Sequence, residues 1–110
     1  MKPLKILIAD DHAVVRLGLT SLLNAQKDMK GVAEAANGEE AVRLALKSRP
    51  DIAIVDLVMP RLTGAEVTAR LTEKLPSCKT VILTSFGSHV GIAQALRDGA
   101  AGALAKTTDD

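Results

Sequence analysis

The stretch Asp51-Ile52-Ala53-Ile54-Val55-Asp56-Leu57-Val58-Met59-Pro60 constrains the fold of this chain more than any other. Apolar residues fill both alternating faces, and the run halts on a carboxylate before breaking at Met59-Pro60. A strand apolar on both sides is buried on both sides, as in the middle of a parallel sheet. Proline cannot donate to a ladder, so Pro60 leaves Asp56 at or just past the carboxyl end of that strand. Open α/β sheets bind their ligands at that edge. Asp56 is accordingly the candidate reacting residue.

The same design recurs along the chain. Ile6-Leu7-Ile8-Ala9 runs into Asp10-Asp11, Val81-Ile82-Leu83 into Thr84-Ser85, and Ala103-Leu104-Ala105 into Lys106. If these strands are parallel, their carboxyl ends share one edge. Asp10, Asp11, Asp56, Thr84 and Lys106 then converge although they are far apart in sequence.

Between the strands the apolar spacing changes from every second residue to a helical period. Strand one is read over 5–9 and a weaker strand two over 30–35. Helix one is expected from His12 to Asn24, with Val15, Leu19, Leu22 and Leu23 on one face at helical spacing. Asn37 caps helix two, Glu39 and Glu40 sit where the helix dipole favours acids, Ala41, Val42, Ala45 and Leu46 form its inner stripe, and Pro50 ends it. Thr63-Gly64-Ala65-Glu66 has the spacing of a capping box and opens helix three, which turns Val67 and Leu71 inward and stops before Pro76. Helix four begins near Ser88 or His89, buries Ile92, Ala95 and Leu96, and ends at Asp98-Gly99. Five strands in strict βα alternation predict a doubly wound five-stranded parallel sheet in the order 2-1-3-4-5. The crevice of that order lies between strands one and three, where Asp10, Asp11 and Asp56 meet.

At 110 residues the chain is one domain, spanning 1–110, with a single core. A formal net charge of +1 gives no reason to expect nucleic acid or a membrane surface as a direct partner. No apolar run approaches the ~20 residues of a bilayer span, and no signal-peptide core precedes the first strand. The single cysteine, Cys78, leaves no disulfide framework and fits a reducing cytoplasm. Cys78 and His89 read as surface residues without an assigned role. Phe86, the one aromatic, reads either as loop packing or as part of a partner surface.

Three carboxylates packed together repel, and one would stay protonated unless a cation intervenes. Mg²⁺ suits such a place, because it takes oxygen ligands from one or two carboxylates, waters and a substrate phosphate. Lys106 adds positive charge and Thr84 a hydroxyl donor, the set that phosphoryl transfer requires. A carboxylate can itself accept the group as an aspartyl-phosphate. More bland roles exist for the same residues. Asp10-Asp11 could cap helix one, with Asp11 the firmer metal ligand, and His12 reads as a solvated first-turn histidine rather than a ligand.

Taken together, Asp10-Asp11, Asp56-x-x-Met59-Pro60, Thr84 and Gly99-Ala100-x-Gly102-x-Leu104-x-Lys106 resemble a receiver (response-regulator) domain of two-component signalling, from residue 5 to residue 106. Asp11-His12-Ala13-Val14-Val15-Arg16-Leu17-Gly18-Leu19 further resembles the NarL/FixJ group, whose members usually carry a C-terminal DNA-binding domain. The resemblance implies a flavodoxin-like fold, with Asp56 as phosphoacceptor. It implies Mg²⁺ held by Asp10, Asp11, Asp56 and the backbone carbonyl of Val58, with Thr84 and Lys106 on the phosphoryl oxygens. It also implies a sensor histidine kinase as partner, with a small acyl phosphate as an alternative donor, and an output through the surface around helix four and strand five. Val58 and Phe86 occupy the positions flanking the path of a hydrolytic water, and neither can orient one, so a long-lived phosphorylated form is expected.

The chain departs from the family in three places. Ala103 stands where an aromatic is usual, which shifts the expected switch to Thr84 and the 85–88 loop. Lys106-Thr107 replaces the usual Lys-Pro. The fifth helix of the family would begin where this chain stops, at Asp110, so a homodimer covering the exposed sheet face is expected. A function from another class, an Asp-nucleophile Mg²⁺-dependent phosphohydrolase of the haloacid-dehalogenase type, would place a second Asp where this chain has Val58. A degenerate receiver serving only for binding would not need the complete acid set.

Overall fold

Five parallel strands form one sheet in the order β2-β1-β3-β4-β5. In a computed structural model that describes residues 2–84 and 100–105, the elements are β1 (Leu4–Ala9), α1 (Ala13–Asn24), β2 (Met29–Ala35), α2 (Gly38–Ser48), β3 (Ile52–Asp56), α3 (Gly64–Lys74), β4 (Lys79–Thr84) and β5 (Ala100–Ala105). The expected topology is the one observed. Helix four, with Phe86 and His89, falls outside the described residues, as do Lys106 and residues 107–110.

Register fixes what the edge presents. Ala9 pairs with Val55, so Asp10 and Asp56 stand level at the carboxyl ends of neighbouring strands. Asp56 in turn pairs with Leu83, one position before Thr84. Leu57 continues the ladder by donating its amide to the Leu83 carbonyl at 2.9 Å, and Asp10 does the same to Ala35 at 3.0 Å. The β1–β2 ladder shifts between Ile6 and Leu7, where Val32 is left over on β2.

One cluster of buried side chains lies on one face of the sheet, and Ile6 and Ile8, at 2% and 0% exposure, are buried on the other. Leu7, Ala9, Ala53, Val55 and Ile82 alternate toward α2 and α3 and pack on Ala41, Val42, Ala45, Val67 and Leu71. Burying each Val, Leu or Ile of this set stabilises by roughly 1.5–3 kcal/mol. The capping box of α3 forms as its spacing requires: Glu66 donates its amide to Thr63 Oγ1 at 3.2 Å, and Thr63 returns its own to Glu66 Oε1 at 3.0 Å. At α2, the Glu40 amide donates to Asn37 Oδ1 at 2.9 Å, and Glu40 Oε1 accepts from the Ala36 amide at 3.0 Å.

Three expectations need correction. Leu22 is 60% exposed. The half-buried side of α1 is instead Val15, Arg16, Leu19, Thr20 and Leu23. Arg16 reaches the Asp10 carbonyl, and Thr20 stands over Gly31 of β2; these contacts turn the helix and swing Leu22 outward. Leu46 is exposed too, about 100° round the helix from Ala45, and Leu44 packs against the core in its place. Cys78 is buried, not on the surface: its amide donates to the Leu75 carbonyl at 2.9 Å, and this turn folds the thiol back into the core.

Candidate functional site

Asp10 and Asp56 are buried polar residues at the carboxyl edge of the sheet, at 0% and 4% exposure. A buried carboxylate is costly without charge-stabilising partners. Asp10 Oδ1 accepts the His12 amide at 2.8 Å and lies 2.9 Å from His12 Nδ1. Its backbone carbonyl accepts from the Arg16 guanidinium at 2.6 Å, and Arg16 Nε lies 3.6 Å from Glu34 Oε1 on β2. The start of α1 is thus tied to the ends of β1 and β2, and Asp10 is held from two sides. Asp11 is more open, with its Oδ1 at 3.2 Å from His12 Nδ1.

Asp56 ends β3, and its Oδ1 accepts the Val58 amide at 3.4 Å. The turn after it is held tightly. Gly64 donates its amide to the Leu57 carbonyl at 2.9 Å, and a Cβ at Gly64 would collide with the Asp56 carbonyl oxygen and lie 2.8 Å from the Leu57 Cα. Only glycine lets α3 begin this close to the acidic residue. Arg61 completes the turn in the left-handed region, φ 75°.

Asp10, Asp11, His12 and Asp56 each offer one ligand atom within 4.8 Å of all the others. Three carboxylates and one imidazole this close make a donor set for a divalent cation, and the hard carboxylate oxygens fit Mg²⁺. The structure therefore brings together Asp10, Asp11 and Asp56, with Val58 next to Asp56. It places the Thr84 backbone at the same edge, at the end of β4. Lys106 lies outside the described residues.

Two participants were missed in the sequence. His12 is well exposed, as a solvated residue would be, yet its ring lies between the two aspartates. Arg16 had no signal of its own beyond standing one helical turn after His12. No helix among the described residues is long and apolar enough to cross a membrane.

The model of the response regulator receiver domain matches residues 6–110. The chain is 44% identical over 108 residues to the oxygen regulatory protein NreC of Staphylococcus epidermidis, covering 97% of this chain and 50% of that one. It is also 44% identical over 103 residues to the transcriptional regulatory protein LnrK of Bacillus subtilis, covering 94% and 47%. The signal receiver domain of the putative response regulator NarL from Mycobacterium tuberculosis superimposes with a TM-score of 0.93 at 28% identity, over 99% of this chain and 88% of that one. The chain spans about half the length of the curated relatives it matches. Fold, site edge and relatives agree with the NarL-type resemblance of the Asp11–Leu19 segment, and the chain belongs to the response regulator receiver domain family.

Proposed function

We propose that Asp56 is the phosphoacceptor of this receiver domain, charged by a phosphohistidine on a sensor histidine kinase or by a small acyl phosphate. The observation that carries this reading is the register that sets Ala9 against Val55, and with it Asp10 and Asp11 beside Asp56 at the carboxyl edge of the sheet. An Asp56 carboxylate oxygen attacks phosphorus in line, and the bond to the donor nitrogen or oxygen breaks with its electron pair leaving on the donor. Asp10, Asp11, Asp56 and the Val58 backbone carbonyl would hold Mg²⁺. When bound, the ion supplies positive charge against the negative acceptor and incoming group.

The chain's own residues do the rest. The His12 amide and the Arg16 guanidinium fix Asp10, while Gly64 fixes the turn that carries Asp56. Thr84 and Lys106 are assigned to the phosphoryl oxygens. In this reading residues 1–110 act as one receiver domain in the cytoplasm, promoting its own phosphorylation and dephosphorylation. Its changed surface is passed to a DNA-binding output elsewhere in the regulator, and a homodimer is one form that surface can take. The name of LnrK as a transcriptional regulatory protein supports that output.

The test is intact mass after incubation with acetyl phosphate and Mg²⁺. The native chain gains one phosphoryl group, Asp56→Asn gains none, and Asp11→Ala gains it far more slowly. Full labelling of Asp56→Asn would overturn the assignment.

A further inference from the structure

The main chain at the end of β1 is gripped from α1. We infer that Arg16 is a positioning residue for the reaction at Asp56: anchored on Glu34 of β2, it fixes the peptide that joins Asp10 to Asp11 and so sets the direction of the Asp11 carboxylate. The inference rests on the proposed function above, with Asp56 as acceptor and the Asp10-Asp11 pair beside it holding the cation.

Three observations carry it. Arg16 Nη1 donates to the Asp10 carbonyl oxygen at 2.6 Å. That oxygen belongs to the planar peptide between the two acids, so holding it fixes the plane from which the Asp11 side chain departs. The preceding peptide is held separately, by the Asp10 amide donating to the Ala35 carbonyl at 3.0 Å. Second, the fold encloses the Asp10 side chain, at 0% exposure, and leaves that of Asp11 36% exposed, so Asp11 takes its direction chiefly from its backbone. Third, Arg16 is itself fixed. Its side chain is only 20% exposed, its Nε lies 3.6 Å from Glu34 Oε1, and its amide donates to the His12 carbonyl at 3.1 Å in the first turn of α1. Glu34 pairs with Ile8 in the β1–β2 ladder, so the anchor stands on the strand beside the one that ends in the acids.

The two contacts leave the guanidinium from different nitrogens, Nη1 toward Asp10 and Nε toward Glu34. A rigid planar fork serves both at once, whereas a lysine ammonium brings the charge and a donor without the fork. Charge and positioning act on the cation with opposite signs. A guanidinium beside the site repels a divalent ion, so its removal, by charge alone, would tighten Mg²⁺ binding. Loss of positioning weakens binding instead, on the order of tenfold for a residue that orients a metal ligand.

Titration calorimetry with Mg²⁺ on the native chain, Arg16→Met and Arg16→Lys reads the sign, with circular dichroism to establish that each variant is folded. Arg16→Met is expected to bind Mg²⁺ about tenfold more weakly, and Arg16→Lys to recover part of the loss. Half-maximal labelling by acetyl phosphate should need correspondingly more Mg²⁺, while the rate at saturating Mg²⁺ stays within about twofold. A fold that is merely less stable lowers the labelled fraction and leaves the half-saturating concentration where it was. Tighter or unchanged Mg²⁺ binding in Arg16→Met would overturn the inference, and so would an Arg16→Lys that recovers nothing. Glu34→Gln should weaken binding in the native chain and add nothing in Arg16→Met; an equal effect in both would overturn the anchoring. The underlying reading fails differently, by full labelling of Asp56→Asn, whereas failure of Arg16 alone leaves Asp56 as the labelled residue.

Discussion

Burial pushes the Cys78 thiol above its ordinary value of 9.0, and the nearby Asp51 carboxylate adds to the shift. Thiolate is the reactive form, so Cys78 should alkylate slowly at pH 7–8 in the folded chain and rapidly in denaturant. The rate with iodoacetamide, with and without urea, checks this, and a native rate equal to that of a free thiol would contradict the burial. At the site edge, Val58 is 73% exposed beside Asp56 and carries no group that can orient water. Val58→Asn is expected to shorten the lifetime of the phosphorylated form, measured by decay of the labelled mass after the donor is removed. This residue-level picture was only partly legible in sequence. Asp10, Asp11 and Asp56 could be read because strand ends are marked by where apolar runs stop. Cys78 could not, because its burial depends on a turn that the thiol itself does not signal.

Like α1, α3 bears on the site through its start. Its capping box holds Glu66 below its ordinary carboxyl value of 4.5, through the Thr63 backbone bond first and the Thr63 hydroxyl second. A carboxyl lowered in the fold contributes stability above its unfolded value, and the contribution is lost as pH falls through the folded value. The stability difference between the native chain and Glu66→Gln should therefore be constant near neutrality and shrink below about pH 4.5. Thr63→Ala should cost about 1 kcal/mol in urea unfolding. A larger effect is expected at Gly64. Its Cβ would meet the Asp56 carbonyl oxygen and the Leu57 Cα, both backbone and unable to swing away. Gly64→Ala should cost on the order of 1–3 kcal/mol and slow labelling of Asp56 by displacing its turn. If unfolding and labelling are both native-like in Gly64→Ala, α3 does not position the acceptor.

At the scale of the whole molecule, the acid cluster joins the ends of β1 and β3, which are adjacent in space and far apart in sequence. The unfolded chain has no such cluster, so any ion held there stabilises the fold by mass action, about 2.7 kcal/mol at a hundred times its dissociation constant. Mg²⁺ should raise the thermal midpoint of the native chain and leave that of Asp11→Ala almost unmoved. Equal shifts in both, followed by circular dichroism, would place the effect elsewhere on the molecule.

The order of residues along the chain is enough to set the alternation of strands and helices, the two capped helix starts and the polar edge of the sheet. These rest on local signals: period, breaker residues and side chains that bond to backbone within a few positions. Right-handed crossovers then allow few sheet orders, and 2-1-3-4-5 is the one observed. How each helix is rotated on the sheet, and which side chains meet across it, depends on packing between elements. Leu22 turned outward because Arg16 is engaged at the end of β1 and Thr20 on the face of β2, the two strands that flank the helix in the chain. His12 joined the acids because the strand register and the start of α1 together carry its ring to them. Hydropathy describes a residue one at a time, whereas contacts of this kind depend on pairs that only the packed sheet brings together.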